Sequence, residues 1–108
     1  MDIEAIREYC LGLPEATEDI KWESDLCFCI RDKMFCVVGL NDDPLQMTVK
    51  VTPQEFDDLI ERPEYAPAKY VGRYKWVTLS NTSLVDAAEL KSLIEGSFYL
   101  IRDKKKKT

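Results

Sequence analysis

Residues 26–40 read L-C-F-C-I-R-D-K-M-F-C-V-V-G-L, two apolar runs separated by three charged residues. Both runs are rich in the β-branched and aromatic side chains that strands favour. The segment Arg31-Asp32-Lys33 between them is short enough for a tight hairpin. If the turn is even, one face of the hairpin carries four large apolar side chains and is predicted to be the core face. These side chains are Phe28, Ile30, Phe35 and Val37.

Two more strands and a short helix are predicted downstream of this hairpin. Residues 45–51 alternate apolar and polar side chains, which predicts a half-buried strand with Lys50 on its wet side. Thr52-Pro53-Gln54-Glu55 predicts a helix start, since it combines a capping box with proline at the first helical position. Residues 64–71 are interpreted as a loop, and residues 76–79 predict the next strand.

Helices are predicted at both ends of the chain. Asp2 is the expected N-cap of the first and Ser83 that of the last, whose long apolar stripe must cover the sheet. Residues 15–25 are interpreted as an acidic connector, with Trp22 as a plug over the core. The resulting order is α-β-β-β-α-β-α. This is an α+β fold, a two-layer sandwich with an antiparallel sheet and helices packed on one face.

The composition indicates one domain, residues 1–103, followed by a basic tail, residues 104–108. The formal charge is −5, and without Lys104 to Lys107 only 11 cations oppose 20 carboxylates. This balance argues against a general polyanion binder, so any nucleic-acid contact is expected to be local. No apolar run is long enough for a membrane span, and the start M-D-I-E-A-I-R-E-Y is too acidic for a signal peptide. We therefore expect a cytoplasmic protein.

Four cysteines occur in a chain without histidine. In a reducing compartment we expect free thiols, buried as small apolar side chains. With an even hairpin turn, Cys27, Cys29 and Cys36 share one face, and three thiolates could hold a soft metal. Structural zinc, however, usually takes four ligands with C-x-x-C spacing. We predict no metal and no cofactor, and leave a redox role of these thiols open.

The candidate site is the segment Y-V-G-R-Y-K-W-V-T-L, residues 70–79, with Lys69 before it. It concentrates cations and aromatic rings, and no carboxylate occurs from residue 66 to 79. Such a surface can hold phosphates while bases stack on the rings. The alternative is that the rings pack into the core while the cationic stems shield its edge. By strand alternation, either Arg73 and Lys75 lie at the rim of a cleft, or Trp76 is exposed as a recognition residue.

Three blocks of the chain resemble the MmcQ/YjbR family. They are I-E-A-I-R-E-Y-C-L-G-L-P-E-A-T-E-D (residues 3–19), D-K-M-F-C-V-V (residues 32–38) and R-Y-K-W-V-T-L-S-N-T-S-L (residues 73–84). The resemblance implies a frataxin-like (CyaY-like) sandwich, a small cytoplasmic bacterial protein and a double-wing DNA-binding role. Lys75 stands where the family pattern has histidine, which argues against a role for a neutral-pH proton donor but retains a phosphate contact.

The first functional prediction is therefore DNA binding through a local basic and aromatic patch. Its residues are Lys50, Lys69, Arg73, Tyr74, Lys75 and Trp76. Two hairpin tips, residues 31–33 and 41–44, would be the wings, although the second is acidic and would repel DNA. The alternative is a protein-interaction or small-anion module, in which the same cations receive an acidic partner. We predict no enzyme, since the sequence has no histidine, no glycine-rich phosphate loop and no nucleophile motif with a visible base.

Overall fold

The computed structural model describes residues 1–22 and 24–103, an α+β fold of three helices and one six-stranded antiparallel sheet. The helices are α1 (Ile3–Leu11), α2 (Pro53–Leu59) and α3 (Ala87–Arg102). The strands are β1 (Thr17–Lys21), β2 (Asp25–Ile30), β3 (Lys33–Gly39), β4 (Met47–Lys50), β5 (Tyr65–Pro67) and β6 (Trp76–Leu79), in the spatial order β1-β2-β3-β4-β6-β5. The predicted basic tail, residues 104–108, lies outside the described residues.

The predicted hairpin forms the centre of the sheet. Ile30 pairs with Lys33, so the turn has two residues, Arg31 and Asp32, with φ of 51° and 65°. Positive φ at both central positions defines a type I′ turn, whose twist matches that of the flanking strands. The prediction of a tight hairpin is therefore confirmed, and the turn is even, which was the condition for the predicted core face.

A β-bulge changes which residues of β3 face the core. The register shifts between Phe28 and Cys29, so that Phe28 pairs with Cys36 and leaves Phe35 as the extra residue. Phe35 and Cys36 are both buried in the core, whereas Val37 lies opposite Cys27 on the other face. The predicted positions of Cys36 and Val37 were wrong because one bulged residue reverses the alternation for the rest of the strand.

The predicted acidic connector is in fact an edge strand. β1 pairs antiparallel with β2, from Thr17 opposite Cys29 to Lys21 opposite Asp25. Its side chains are almost all exposed, so the strand lacks the apolar alternation that marks a half-buried strand in a sequence. Trp22, in the turn after β1, keeps 69% of its surface exposed and is not a plug over the core.

The predicted loop before the last strand contains the other edge strand. Tyr65 pairs with Leu79 and Pro67 with Val77, which places the three-residue β5 beside β6. A proline is tolerated there because an edge strand does not need every N–H for pairing. With β1 and β5 included, the observed order is α-β-β-β-β-α-β-β-α, two strands more than predicted.

All three helices contribute to one core on a single face of the sheet, which we call the inner face; the other is the outer face. The core includes Ile6 of α1, Phe56 of α2 and Phe98 of α3. Phe98 packs edge-on against Phe35, with ring centroids 5.2 Å apart. None of these helices is long and apolar enough to cross a membrane, within the part of the chain that the structure describes.

The helix starts follow local capping chemistry, with one correction. Asp2 caps α1 and Thr52 forms the predicted capping box with Glu55. The last helix is capped by Asp86, whose carboxylate accepts the Glu89 N–H at 2.8 Å, and not by Ser83. Ser83 lies instead in a separate 3-10 turn, Thr82–Leu84, so the true cap is the acidic residue just before the helical run.

Candidate nucleic-acid interface

The antiparallel pairing directs the charged side chains towards two ends of the sheet. One end carries the β2–β3 turn, the last residue of β4 and the loop of residues 68–75 between β5 and β6. We call it the cationic end; its cations are Arg31, Lys33, Lys50, Lys69, Arg73 and Lys75. Two carboxylates accompany them, Asp32 in the turn and Asp103, whose pKa is lowered by its hydrogen bond with Arg102 and also by Arg31. The opposite, acidic end carries Asp25 and the β3–β4 loop with Asp42 and Asp43. The negative net charge is therefore unevenly distributed over the molecule.

Trp76 and Lys50 form a cross-strand pair at the cationic end. They are directly opposite each other in β6 and β4, and both are half-buried. Both lie on the outer face, because their neighbours Val49 and Val77 point into the core. Such opposite residues have Cβ atoms about 4.5–5.5 Å apart. The Lys50 ammonium donates a hydrogen bond to the carbonyl of Tyr74, which holds this cation beside the start of β6.

The loop of residues 68–75 presents a cation and an aromatic ring side by side. Its base is closed by a hydrogen bond from the Ala68 N–H to the Trp76 carbonyl, 3.0 Å long. Within the loop, the Val71 N–H donates to the Lys69 carbonyl at 2.8 Å, a γ-turn with Tyr70 at its centre. Tyr70 has φ 67° and keeps 95% of its surface exposed, and Lys69 beside it is exposed as well. The turn therefore directs Tyr70 away from the core.

Arg73 and Tyr74 form a second cation and ring pair, in the 3-10 turn Gly72–Tyr74. The Arg73 guanidinium lies 4.8 Å from the centroid of the Tyr74 ring and donates to its hydroxyl at 2.8 Å. Tyr74 is 52% exposed. Because its own arginine covers part of the ring, Tyr74 is a less available stacking surface than Tyr70.

Lys75 differs from the other predicted contacts. Its backbone is left-handed, with φ 69°, and its ammonium lies 4.7 Å from the centroid of the Phe56 ring in α2. The side chain is therefore half-buried towards the helical side, whereas Trp76 is on the outer face. Of the two alternatives drawn from strand alternation, Trp76 does lie on the outer face, although its side chain is half-buried there. Arg73 and Lys75 do not follow the alternation, because regular strand geometry begins only at Trp76.

The two predicted wing tips do not lie together. The β2–β3 turn is at the cationic end and the β3–β4 loop is at the acidic end, because the two connections lie at opposite ends of β3. The acidic tip with Asp42 and Asp43 is thus remote from the cationic loop. Arg31 and Lys33 were not among the predicted site residues, although the hairpin places both at the cationic end, where Lys50 also lies.

The cysteines are divided between the two faces. Cys27 and Cys29 lie on the outer face, and Cys36 lies in the core with Cys10. Burial raises the pKa of Cys27 to about 11 and also raises the pKa of Cys29. A hydrogen bond to Cys10, together with burial, raises the pKa of Cys36 well above its ordinary value. Cys27, Cys29 and Cys36 therefore stay protonated at neutral pH, and the bulge removes the arrangement of these three thiols on one face.

Two open surface grooves occur away from the cationic end. One lies between α1 and β1, where Glu18 forms an ion pair with Arg7 at 2.6 Å, and its lining also includes Glu4 and Asp19. The other adjoins it near the N-terminus and the β3–β4 loop. Their acidic linings make them unsuitable for a phosphate backbone.

A family model and several solved structures resemble this chain. A family model described as YjbR matches residues 11–100. The crystal structure of Deinococcus radiodurans protein DR2400, described as a DUF419 domain, has a TM-score of 0.88 at 25% identity, over 98% of this chain and 82% of that one. A crystal structure of a Pseudomonas syringae protein has a TM-score of 0.76 at 25% identity, over 93% of this chain and 98% of that one.

A solution structure from the same Pseudomonas species has a TM-score of 0.76 at 24% identity, over 100% of this chain and 98% of that one, and shows the shared fold. A comparison with curated proteins found no match.

Proposed function

The chain belongs to the YjbR family, and we propose that it is a DNA-binding protein that holds phosphates at its cationic end. The observation that carries the proposal is the convergence of cations from separate parts of the chain. Lys50 comes from β4, while Lys69 and Arg73 come from the loop before β6. Phosphate contacts supply most of the sequence-independent affinity of DNA-binding proteins.

The distribution of charge explains how an acidic protein binds a polyanion. Asp25, Asp42 and Asp43 lie at the far end of strands that begin or end at the cationic end. Interactions between exposed charges are largely screened beyond about 8–10 Å at physiological salt. DNA at the cationic end is therefore attracted by six nearby cations, opposed there by Asp32 and Asp103, more strongly than it is repelled by the remote carboxylates.

The proposal predicts a defined dependence of affinity on salt. Three phosphate contacts, by Lys50, Lys69 and Arg73, give a slope of log affinity against log salt of about −2.7 on duplex DNA. We leave Lys75 out of this count because its ammonium lies over the Phe56 ring. Titration of a fluorescent duplex by anisotropy, over a series of salt concentrations, measures the slope.

The decisive variant is Lys69→Ala/Arg73→Ala, since both side chains are exposed. We expect the slope to flatten by about 1.8. The matched control is Lys21→Ala/Lys91→Ala, which changes the net charge equally but away from the cationic end, and it should leave the slope unchanged. If both variants flatten the slope equally, binding depends on the net charge of the protein and not on the cationic end. If the duplex shows no salt-dependent binding at all, the proposal is overturned. The alternative is then that the same cations bind an acidic protein or a small anion.

Further attributes are part of the proposal. The named relatives come from Deinococcus and Pseudomonas, which supports a bacterial origin. The frataxin-like (CyaY-like) classification, the cytoplasmic location and the lack of enzymatic activity remain predictions.

A further inference from the structure

Tyr70 occupies a position that the fold itself does not explain. It keeps 95% of its surface exposed, so it contributes no packing to the core. Its left-handed backbone, φ 67°, is unfavourable for a side chain of this size and is held by the hydrogen bond between Val71 and Lys69. Strained, exposed residues of this kind are concentrated at binding sites.

The cations next to Tyr70 fit a nucleic-acid strand that passes over the ring. Lys69 precedes it in the same turn, and Arg73 follows within the same loop. The loop closes directly onto Trp76, through the hydrogen bond from Ala68. Rings and cations thus alternate along one segment, which is the arrangement that tracks a backbone while bases stack.

The faces of the bases are available to such rings only where the bases are unpaired. In a duplex they are covered by their neighbours, and proteins read the base edges through the grooves. The helices that could enter a groove lie on the inner face, whereas Trp76 lies on the outer face. A projecting tyrosine would meet only sugar and phosphate on an intact duplex.

We propose that the cationic end prefers single-stranded DNA, with unpaired bases stacked on Tyr70 and Trp76 and phosphates held by Lys50, Lys69 and Arg73. This inference rests on the proposed DNA-binding function and names the form of the ligand. Tyr74 has a smaller part in it, because Arg73 covers part of its ring.

The test compares the full chain on a fluorescent single strand and on the duplex made by adding its complement, at the same salt concentration. We expect tighter binding of the single strand. Tyr70→Ala should weaken single-strand binding by about 5- to 150-fold, the range of one lost base stack, and leave duplex binding unchanged. The salt slope should not change, since stacking releases no counterions. Tyr70→Phe keeps the ring and should bind like the parent protein.

The matched control is Trp22→Ala, an exposed aromatic residue at the acidic end, which should alter neither affinity. In a Trp22→Phe background, Trp76 is the only tryptophan, and its fluorescence should be quenched by the single strand. Circular dichroism verifies that each variant is folded.

The outcomes separate the two proposals. If neither DNA form binds in a salt-dependent manner, the proposed function fails and the inference fails with it. If the duplex binds as tightly as the single strand and Tyr70→Ala changes neither, DNA binding stands and the single-strand inference is overturned.

Discussion

The hydroxyl of Ser97 in α3 accepts a hydrogen bond from the backbone N–H of Lys50 in β4, 3.0 Å away. The same hydroxyl donates to the carbonyl of Phe35, the bulged residue of β3. Ser97 is fully buried, so it inserts a side chain from the last helix between β3 and β4, next to the last pair of their ladder, Cys36 and Val49. The helix thereby fixes the backbone of a residue in the candidate site.

Ser97→Ala should therefore destabilise the fold strongly. It leaves a strand N–H and a strand carbonyl without this partner, and each buried unsatisfied group costs about 1–3 kcal/mol. We expect the free energy of unfolding in urea to fall by about 2 kcal/mol or more. Ser92→Ala, at an exposed position of the same helix, should stay within about 0.5 kcal/mol of the parent protein. A similarly small effect of Ser97→Ala would show that the strands do not depend on this hydroxyl.

The bulge illustrates what the sequence could not predict. The apolar runs, the tight hairpin and the strand character of β2 and β3 follow from local composition. The extra residue Phe35 does not, because it depends on contacts with Ser97 and Phe98, more than sixty positions away in the chain. The bulge exchanges the faces assigned to Cys36 and Val37.

The β2–β3 turn offers a stabilising substitution. Arg31 and Asp32 both have positive φ, and type I′ turns favour Asn-Gly at these positions. Arg31→Asn/Asp32→Gly should raise the free energy of unfolding by about 0.5–1 kcal/mol without changing the net charge. Arg31→Ala/Asp32→Ala removes the same charges but keeps the strain, and should not stabilise. Thermal and urea unfolding compare the stability of the two variants. If they are equally stable, the positive φ angles of Arg31 and Asp32 do not cost stability.

The missed edge strands have a common physical cause. β1 is exposed along nearly its whole length, and β5 has only three residues and ends in Pro67. Neither has the alternation of apolar and polar residues that indicates a half-buried strand in a sequence. Each is a strand because it forms hydrogen bonds with a neighbouring strand. The caps of α1 and α2, the apolar stripe of α3 and the half-buried β4 and β6 were predictable, since their signals are local, whereas the cap of α3 was assigned to the wrong residue.

The candidate site could be predicted as a segment but not as a geometry. Within residues 69–76, Lys69, Tyr70, Arg73 and Tyr74 are exposed in one loop, as the spacing suggested. The direction of Lys75 depends on its left-handed backbone and on Phe56 across the sheet edge, and neither is visible in the spacing. Arg31 joins the site only through the register of the strands.

Alanine variants of Lys75 and Lys69 should have opposite effects, one on the free energy of unfolding and the other on DNA affinity. Lys75→Ala removes a cation above the Phe56 ring and should lower the free energy of unfolding by about 0.5–1 kcal/mol, with little loss of DNA affinity. Lys69→Ala should weaken DNA binding and leave the free energy of unfolding nearly unchanged, because the Lys69 side chain is exposed. Lys75→Gly should recover part of the lost stability, since φ 69° suits glycine. If Lys75→Ala weakens DNA binding as much as Lys69→Ala, the contact with Phe56 does not withhold this cation from DNA.

Tyr9 should make stability sensitive to alkaline pH. Its hydroxyl donates to the Glu95 carboxylate, and burial together with that carboxylate raises the pKa of Tyr9 to about 12. Below pH about 10 the tyrosine is protonated in both the folded and the unfolded chain, so its full contribution to stability is present. Between about 10 and about 12 the unfolded chain loses this proton first, and that contribution is lost.

The stability advantage of the parent protein over Tyr9→Phe should accordingly be largest at neutral pH and narrow as the pH approaches 12. Urea unfolding of both proteins at neutral pH and at about pH 11 measures the change. Glu95→Gln removes the charge that opposes ionisation, so the same comparison in that background should show a smaller narrowing. An advantage that stays constant across this range would mean that the ionisation of Tyr9 is not linked to folding.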